Sequence, residues 1–152
     1  MLNYHPATPD QIDEFLRLLH LEAGETLERA MQKMGMTWER FSSLAHSVGQ
    51  VLCICREGIP VGYLWTEERG RVVHLHGLVV HPEHRCQGIG SQALAMLVER
   101  YAGEMDAIEL GVHTSNLAAR RLYERLGFIP VKHLPELGFD ILQRPLAEKG
   151  AN

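Results

Sequence analysis

Cysteine is scarce, at three residues in a chain of 152. Three cannot all pair with one another, and a chain this long buries enough surface to need no disulfide staples. That excludes a disulfide-dependent miniprotein and predicts a reducing compartment. Long apolar runs are missing too, and the opening MLNYHPATPD lacks the charged-then-apolar layout of a signal peptide. No membrane partner is therefore expected, and a cytoplasmic location is. Positive charge is not in excess: 15 Lys+Arg against 19 Asp+Glu leave −4, so no basic field advertises nucleic acid. There is no internal repeat, low-complexity tract or linker, which predicts a single domain over residues 1–152. What is present is 45% apolar and 22% charged residues, enough for a packed core, and 14 glycines, several of them close together.

Periodicity divides the chain. Residues 2–5 read as a short strand. Thr8 reads as a helix cap, with Pro9 at the first helical position and Gln11 closing a capping box. Ile12, Phe15, Leu16 and Leu19 follow at helical spacing, then Leu27, Ala30, Met31 and Met34 up to Gly35. After Thr37 the spacing returns in Trp38, Phe41, Ala45 and Val48. The pattern then turns to strands: 51–56 and 61–66 joined by Glu57-Gly58-Ile59-Pro60, then 72–80. Residues 107–112, 128–133 and 139–146 read as further strands. Between them, Leu94, Leu97, Val98 and Tyr101 mark one helix, and Asn116 to Leu126 another, with Gly127 as its cap. Helices first, then a meander, then β-α-β-α-β-β predict an α/β (or α+β) mixed sheet covered by helices.

The most informative stretch is Leu78-Val79-Val80-His81-Pro82-Glu83-His84-Arg85-Cys86-Gln87-Gly88-Ile89-Gly90-Ser91. A strand ends, Pro82 prevents its continuation, and two glycines open a helix. Glycines there let backbone approach an anion closely, and free N–H groups with the helix dipole favour negative charge. Arg85 stands where it can add a charge-assisted contact to phosphate. The plainer reading is that Gly88 and Gly90 only shape a tight turn, and geometry alone leaves both open. Gly88-x-Gly90-x-x-Ala93 also spells a dinucleotide fingerprint. That motif needs its glycines directly after the strand and an acid about 20 residues on; here seven loop residues intervene, the nearest acids are Asp106 and Glu109, and 152 residues with a helical first third cannot easily supply the larger doubly wound sheet, so the motif is rejected.

Leu78-x-Val80-x-Pro82-x-x-Arg85-x-x-Gly88-x-Gly90 resembles the acetyl-coenzyme A signature of the GNAT (GCN5-related) N-acetyltransferases. Asn116-x-x-Ala119-x-x-Leu122-Tyr123-x-x-x-Gly127-Phe128 is similar to that family's second signature. The likeness covers about residues 50–145 well and the first fifty only in general layout. It implies the acyl-CoA N-acyltransferase fold: one mostly antiparallel central sheet of six or seven strands, helices on both faces, and two parallel strands splayed at the cofactor cleft. It implies acetyl-CoA as cofactor, its pantetheine arm pairing with main-chain groups of Leu78 and Val80, with Val79 between them counted among the cofactor-binding residues. The diphosphate would sit on N–H groups of Cys86, Gln87, Gly88, Ile89, Gly90 and Ser91 beside Arg85. Asn116 would contact the cofactor or simply cap its helix.

By the same resemblance Tyr123 is the acid that protonates the departing thiolate, a phenol near pKa ~10 serving a thiol near ~8.5. The bland alternative has Tyr123 merely packing against the sheet. Many relatives carry a glutamate on the strand before the loop, but residues 72–80 contain no carboxylate. His76 and His74 stand there instead, two apart and on one face, and a histidine accepts protons well at neutral pH. Glu109 and His113 on the next strand are further candidates. His74, His76 and His113 could also converge on a metal, but the implied chemistry needs none, and no metal is expected. Cys53-x-Cys55 lacks a second pair, which argues against a metal there, and Cys86 reads as a backbone contributor.

The expected activity is transfer of an acetyl group from acetyl-CoA to a primary amine of a small molecule or peptide, by direct attack in a ternary complex. The competing reading is a GNAT-like module that binds acyl-CoA without turnover. Glu22, Glu25, Glu28, Glu67 and Glu68 mildly favour a cationic acceptor, although solvated faces explain them better. Homodimers are common in that family, and the sequence identifies no interface.

Overall fold

A computed structural model describes residues 1–148, so the end of the expected domain, 149–152, lies outside the described residues. The described elements are β1 (Leu2–Pro6), α1 (Pro9–Lys33), α2 (Trp38–Ser47), β2 (Gln50–Arg56), β3 (Ile59–Arg69), β4 (Val72–Val80), α3 (Ile89–Tyr101), β5 (Ala107–His113), α4 (Leu117–Arg125), β6 (Ile129–Leu134) and β7 (Phe139–Pro145). The strands hydrogen-bond in the order β1-β2-β3-β4-β5-β7-β6. β4 and β5 run parallel, whereas β1–β2, β2–β3, β5–β7 and β6–β7 are antiparallel. The sheet is therefore mixed, as the sequence predicts. The parallel ladder joins Val72–Leu75 to Ala107–Leu110, although the strands themselves continue to Val80 and His113.

The chain divides into two compact units, Met1–Glu67 with His76–Gly90, and Glu68–Leu75 with Ser91 onward. In the first, Thr8 caps α1 as expected. Its Oγ1 accepts from the Gln11 N–H at 3.2 Å, and Gln11 Oε1 accepts from the Thr8 N–H at 3.0 Å. The two apolar repeats predicted for this region fuse into one helix, which passes through Gly24 without a break. Thr37 caps α2, its Oγ1 accepting from Arg40 N–H at 3.1 Å. Phe15, Leu16, Leu18 and Met31 of α1 bury against Val51, Cys53, Cys55, Tyr63, Trp65 and Val79, with Phe41 of α2. Phe15 is wholly buried, and a side chain of that kind stabilises the fold by about 1.5–3 kcal/mol. The β2–β3 connection is tighter than the expected four-residue hairpin. Glu57 (φ 52°) and Gly58 (φ 79°) form a two-residue turn, and β3 starts at Ile59.

In the second unit, Val73, Leu75, Ile108, Leu110 and Val112 alternate with less buried neighbours, so one side of β4 and β5 is core. Ala93, Leu94 and Leu97 of α3 and Leu142 of β7 are likewise buried. β6 begins one residue after the expected Phe128, which is itself buried at 2%.

Candidate acetyl-CoA and catalytic site

The glycine loop is built on a strand whose middle residue is locked away. Val79 is 2% exposed inside the first unit's core, while Leu78 and Val80 on either side are half-buried. The Val79 side chain is therefore unavailable to a ligand. The chain leaves β4 with the His81 N–H donating to the Val61 carbonyl at 2.8 Å, then makes a 3₁₀ turn over Pro82–His84. Cys86 (φ 63°) and Gly88 (φ 75°) adopt left-handed backbone on either side of Gln87. Glycine does so freely, whereas a cysteine held there stores on the order of 1–3 kcal/mol of strain, a cost that concentrates at ligand sites. Turns of this kind gather successive N–H groups into an anion-binding hollow. α3 starts directly afterwards at Ile89, anchored by a side chain only 1% exposed, and its first-turn N–H groups have no partner within the helix.

Charged side chains frame the loop. Arg85 makes a long 3.4 Å bond from Nε to the Val80 carbonyl and lies 3.9 Å from Glu22, half its side chain exposed. Arg56 Nη1 donates to Gln87 Oε1. At the loop's start, Glu14 stands 3.5 Å from His81 Nε2. The Arg17 guanidinium donates to both Glu14 oxygens, at 2.9 and 2.7 Å, and holds that carboxyl below its usual range.

Both strand histidines are paired with carboxylates. His76 Nε2 lies 2.8 Å from Glu67 Oε1, with side-chain exposures of 16% and 24%. Its ring stacks on Trp65 at 4.2 Å between centroids. Trp65 is itself fixed by an Nε1–H bond to the Val48 carbonyl at 2.8 Å and by edge contacts with Phe15 and Phe41. If Nε2 carries the proton shared with Glu67, Nδ1 is the basic nitrogen of His76. His74 Nδ1 lies 3.1 Å from Glu109 Oε2, and Glu109 Oε1 accepts from Gln143 Nε2 at 3.1 Å. Cross-strand register places this pair directly opposite. Sequence reading counted Glu67 among solvated acids and missed Gln143. No local signal reveals either, since partners 9 and 34 residues away meet only through strand pairing.

The other expected residues fall as follows. Tyr123 is a half-buried α4 residue, 5.7 Å between ring centroids from Phe128. Asn116 caps α4, its Oδ1 accepting from the Ala119 N–H at 3.2 Å. His113 Nδ1 accepts from the Ser115 N–H at 3.2 Å and lies 2.6 Å from Ser115 Oγ. With His74, His76 and His113 each held by a different partner, the three-histidine cluster considered from the sequence is not among the metal-competent groups of the described residues. All three cysteines are free, Cys86 exposed and Cys53 and Cys55 buried. Burial, and then the neighbouring Cys55, pushes the Cys53 thiol up to about 12. A hollow of about 410 Å³ between Arg71, Met105, Asp106 and Leu146 involves none of the residues singled out for chemistry.

A loop of this backbone, opening a helix directly after β4, is of the kind that binds an anionic group through main-chain N–H groups. The chain belongs to the acetyltransferase (GNAT) family, whose model matches residues 12–128. It is 31% identical over 95 residues to L-amino acid N-acyltransferase MnaT of Escherichia coli, an alignment covering 58% of this chain and 55% of that protein. The chain thus spans little more than half the length of such curated relatives. Among solved structures, Ard1 from Thermoplasma volcanium superposes with a TM-score of 0.74 at 18% identity, covering 97% of this chain and 99% of the other. The structure of yncA from Salmonella typhimurium with its cofactor acetyl-CoA gives a TM-score of 0.67 at 18% identity, covering 100% and 98%. At those identities the likeness is one of fold. Among the described residues no helix is long and apolar enough to cross a membrane.

Proposed function

We propose that the chain acts as one N-acetyltransferase domain, moving the acetyl group of acetyl-CoA to a primary amine by direct attack in a ternary complex. The observation that carries this reading is the loop backbone, with left-handed Cys86 and Gly88 leading straight into α3. N–H groups from Cys86 to Ser91, with Arg85, bind the diphosphate. Main-chain groups of Leu78 and Val80 bind the pantetheine arm, held in place by Val79 between them. The Leu78 N–H donates to the thioester carbonyl and stabilises the oxyanion.

The amine nitrogen bonds to the carbonyl carbon while His76, oriented by Glu67 and Trp65, takes the amine's proton. The C–S bond then breaks, and Tyr123 gives its phenolic proton to the thiolate. His74, oriented by Glu109, is the second candidate base. Asn116 adds a cofactor contact from its capping position. The relative named as an L-amino acid N-acyltransferase makes L-amino acids the first acceptors to try. The three free thiols support a reducing compartment and a cytoplasmic location.

Calorimetry with acetyl-CoA, followed by a thiol-release assay over an amine panel, tests the proposal. We expect binding in the micromolar-to-millimolar range and release with at least one amine. No binding at millimolar cofactor would refute the loop assignment. Binding with a flat panel would favour the module that holds acyl-CoA without turnover.

A further inference from the structure

In the sequence, Cys53-x-Cys55 lacks a second pair of ligands. The fold supplies a third ligand from 48 residues away. β1 pairs with β2 so that His5 faces Cys53, with Asn3 opposite Cys55. His5 Nε2 lies 3.1 Å from Cys55 Sγ, and Cys55 Sγ lies 3.5 Å from Cys53 Sγ. The three ligand atoms all fall within 4.8 Å of one another. Zinc bound tetrahedrally at about 2.3 Å from sulfur and 2.0–2.1 Å from nitrogen sets ligand atoms roughly 3.8 Å (S···S) and 3.6 Å (S···N) apart. Cys55 Sγ lies about 0.5 Å too close to His5 Nε2 and about 0.3 Å too close to Cys53 Sγ for that tetrahedron, and His5 Nε2 and Cys53 Sγ fall within 4.8 Å of each other.

The surroundings fit a metal as well. His5 Nδ1 lies 3.1 Å from the Pro6 carbonyl. Donating its proton there fixes the tautomer in which Nε2 presents a lone pair to the sulfurs, as a metal-bound histidine commonly does. Both cysteines are buried, at 0% and 5% exposure, whereas His5 is exposed, so the group has a dry floor and an open side.

We propose that His5 Nε2, Cys53 Sγ and Cys55 Sγ form a site for a divalent transition-metal ion of the zinc class, with water at the fourth position beside His5. Entry of the ion displaces one proton from each thiol, so its two positive charges are balanced by two thiolates. The ion ties edge strand β1 to β2 and is independent of the acetyltransferase reading.

The test is titration of the reduced, metal-free chain with Co²⁺ and then Zn²⁺, in a Cys86→Ser background that removes the exposed thiol. One equivalent of Co²⁺ should give thiolate-to-cobalt charge-transfer absorption with strong tetrahedral ligand-field bands, and Zn²⁺ should bleach them. Cys55→Ala should abolish the charge-transfer band or reduce it to that of one thiolate. His5→Ala, on the exposed edge strand, should weaken Co²⁺ binding at least tenfold with circular dichroism unchanged. A wild-type spectrum without charge transfer, or a folded His5→Ala chain with undiminished affinity, would overturn the assignment.

Discussion

At the scale of single residues, the proposed role of His76 as proton acceptor rests on Glu67. It is joined to His76 at 2.8 Å, while the stacking face of His76 belongs to Trp65. Replacing Glu67 with Gln keeps the volume and a hydrogen-bonding oxygen but removes the charge that balances an imidazolium. The expected result is a fall in kcat of about 10²-fold with calorimetric affinity for acetyl-CoA unchanged. Equal losses in both would mean that Glu67 supports the fold of this region and not proton transfer. None of this could be read along the chain. Glu67 is one of a run of two acids at the end of β3, and only β-sheet pairing converts it from a solvated charge into a partner.

Elements tell a different story, because their ends are set by local chemistry that the letters display. Thr8-Pro9-x-Gln11 declares the start of α1, and both capping bonds form. Gly127 closes α4 at φ 93°: its N–H donates to the Glu124 carbonyl at 3.1 Å, and the Phe128 N–H donates to that of Tyr123 at 3.0 Å. A methyl group there would come within 2.8 Å of Arg144 Nε, the donor to the Leu126 carbonyl. Gly127→Ala should therefore cost about 1–3 kcal/mol in a denaturant titration, with the transition slope preserved. A change under half a kilocalorie would show that the cap yields. Cap positions were legible because each depends on residues three or four apart. The His5–Cys53 and His74–Glu109 pairings were not, since strand register over 35 or 48 residues leaves no trace in spacing.

For the whole molecule, acid is the natural probe of stability, because each compact unit holds a carboxylate below its ordinary range. Glu14 is held there by Arg17 in the first unit, and Asp140 by His133 and then Arg120 in the second. A depressed folded pKa contributes stability above the unfolded value near pH ~4 and loses it as pH falls through the folded value. Unfolding free energy should accordingly decline below about pH 4, and Asp140→Asn should flatten that decline. An identical acid limb in the variant would remove Asp140 from the explanation. Val79 has a consequence on the same scale. Its side chain fixes the end of β4 in the core, so the N–H and C=O groups of Leu78 and Val80 stand ordered before any ligand arrives. The entropy of immobilising that stretch falls on folding, and the cofactor proposed to dock there would meet a preorganised edge. Trimming Val79 would thus loosen a ligand it never touches with its side chain.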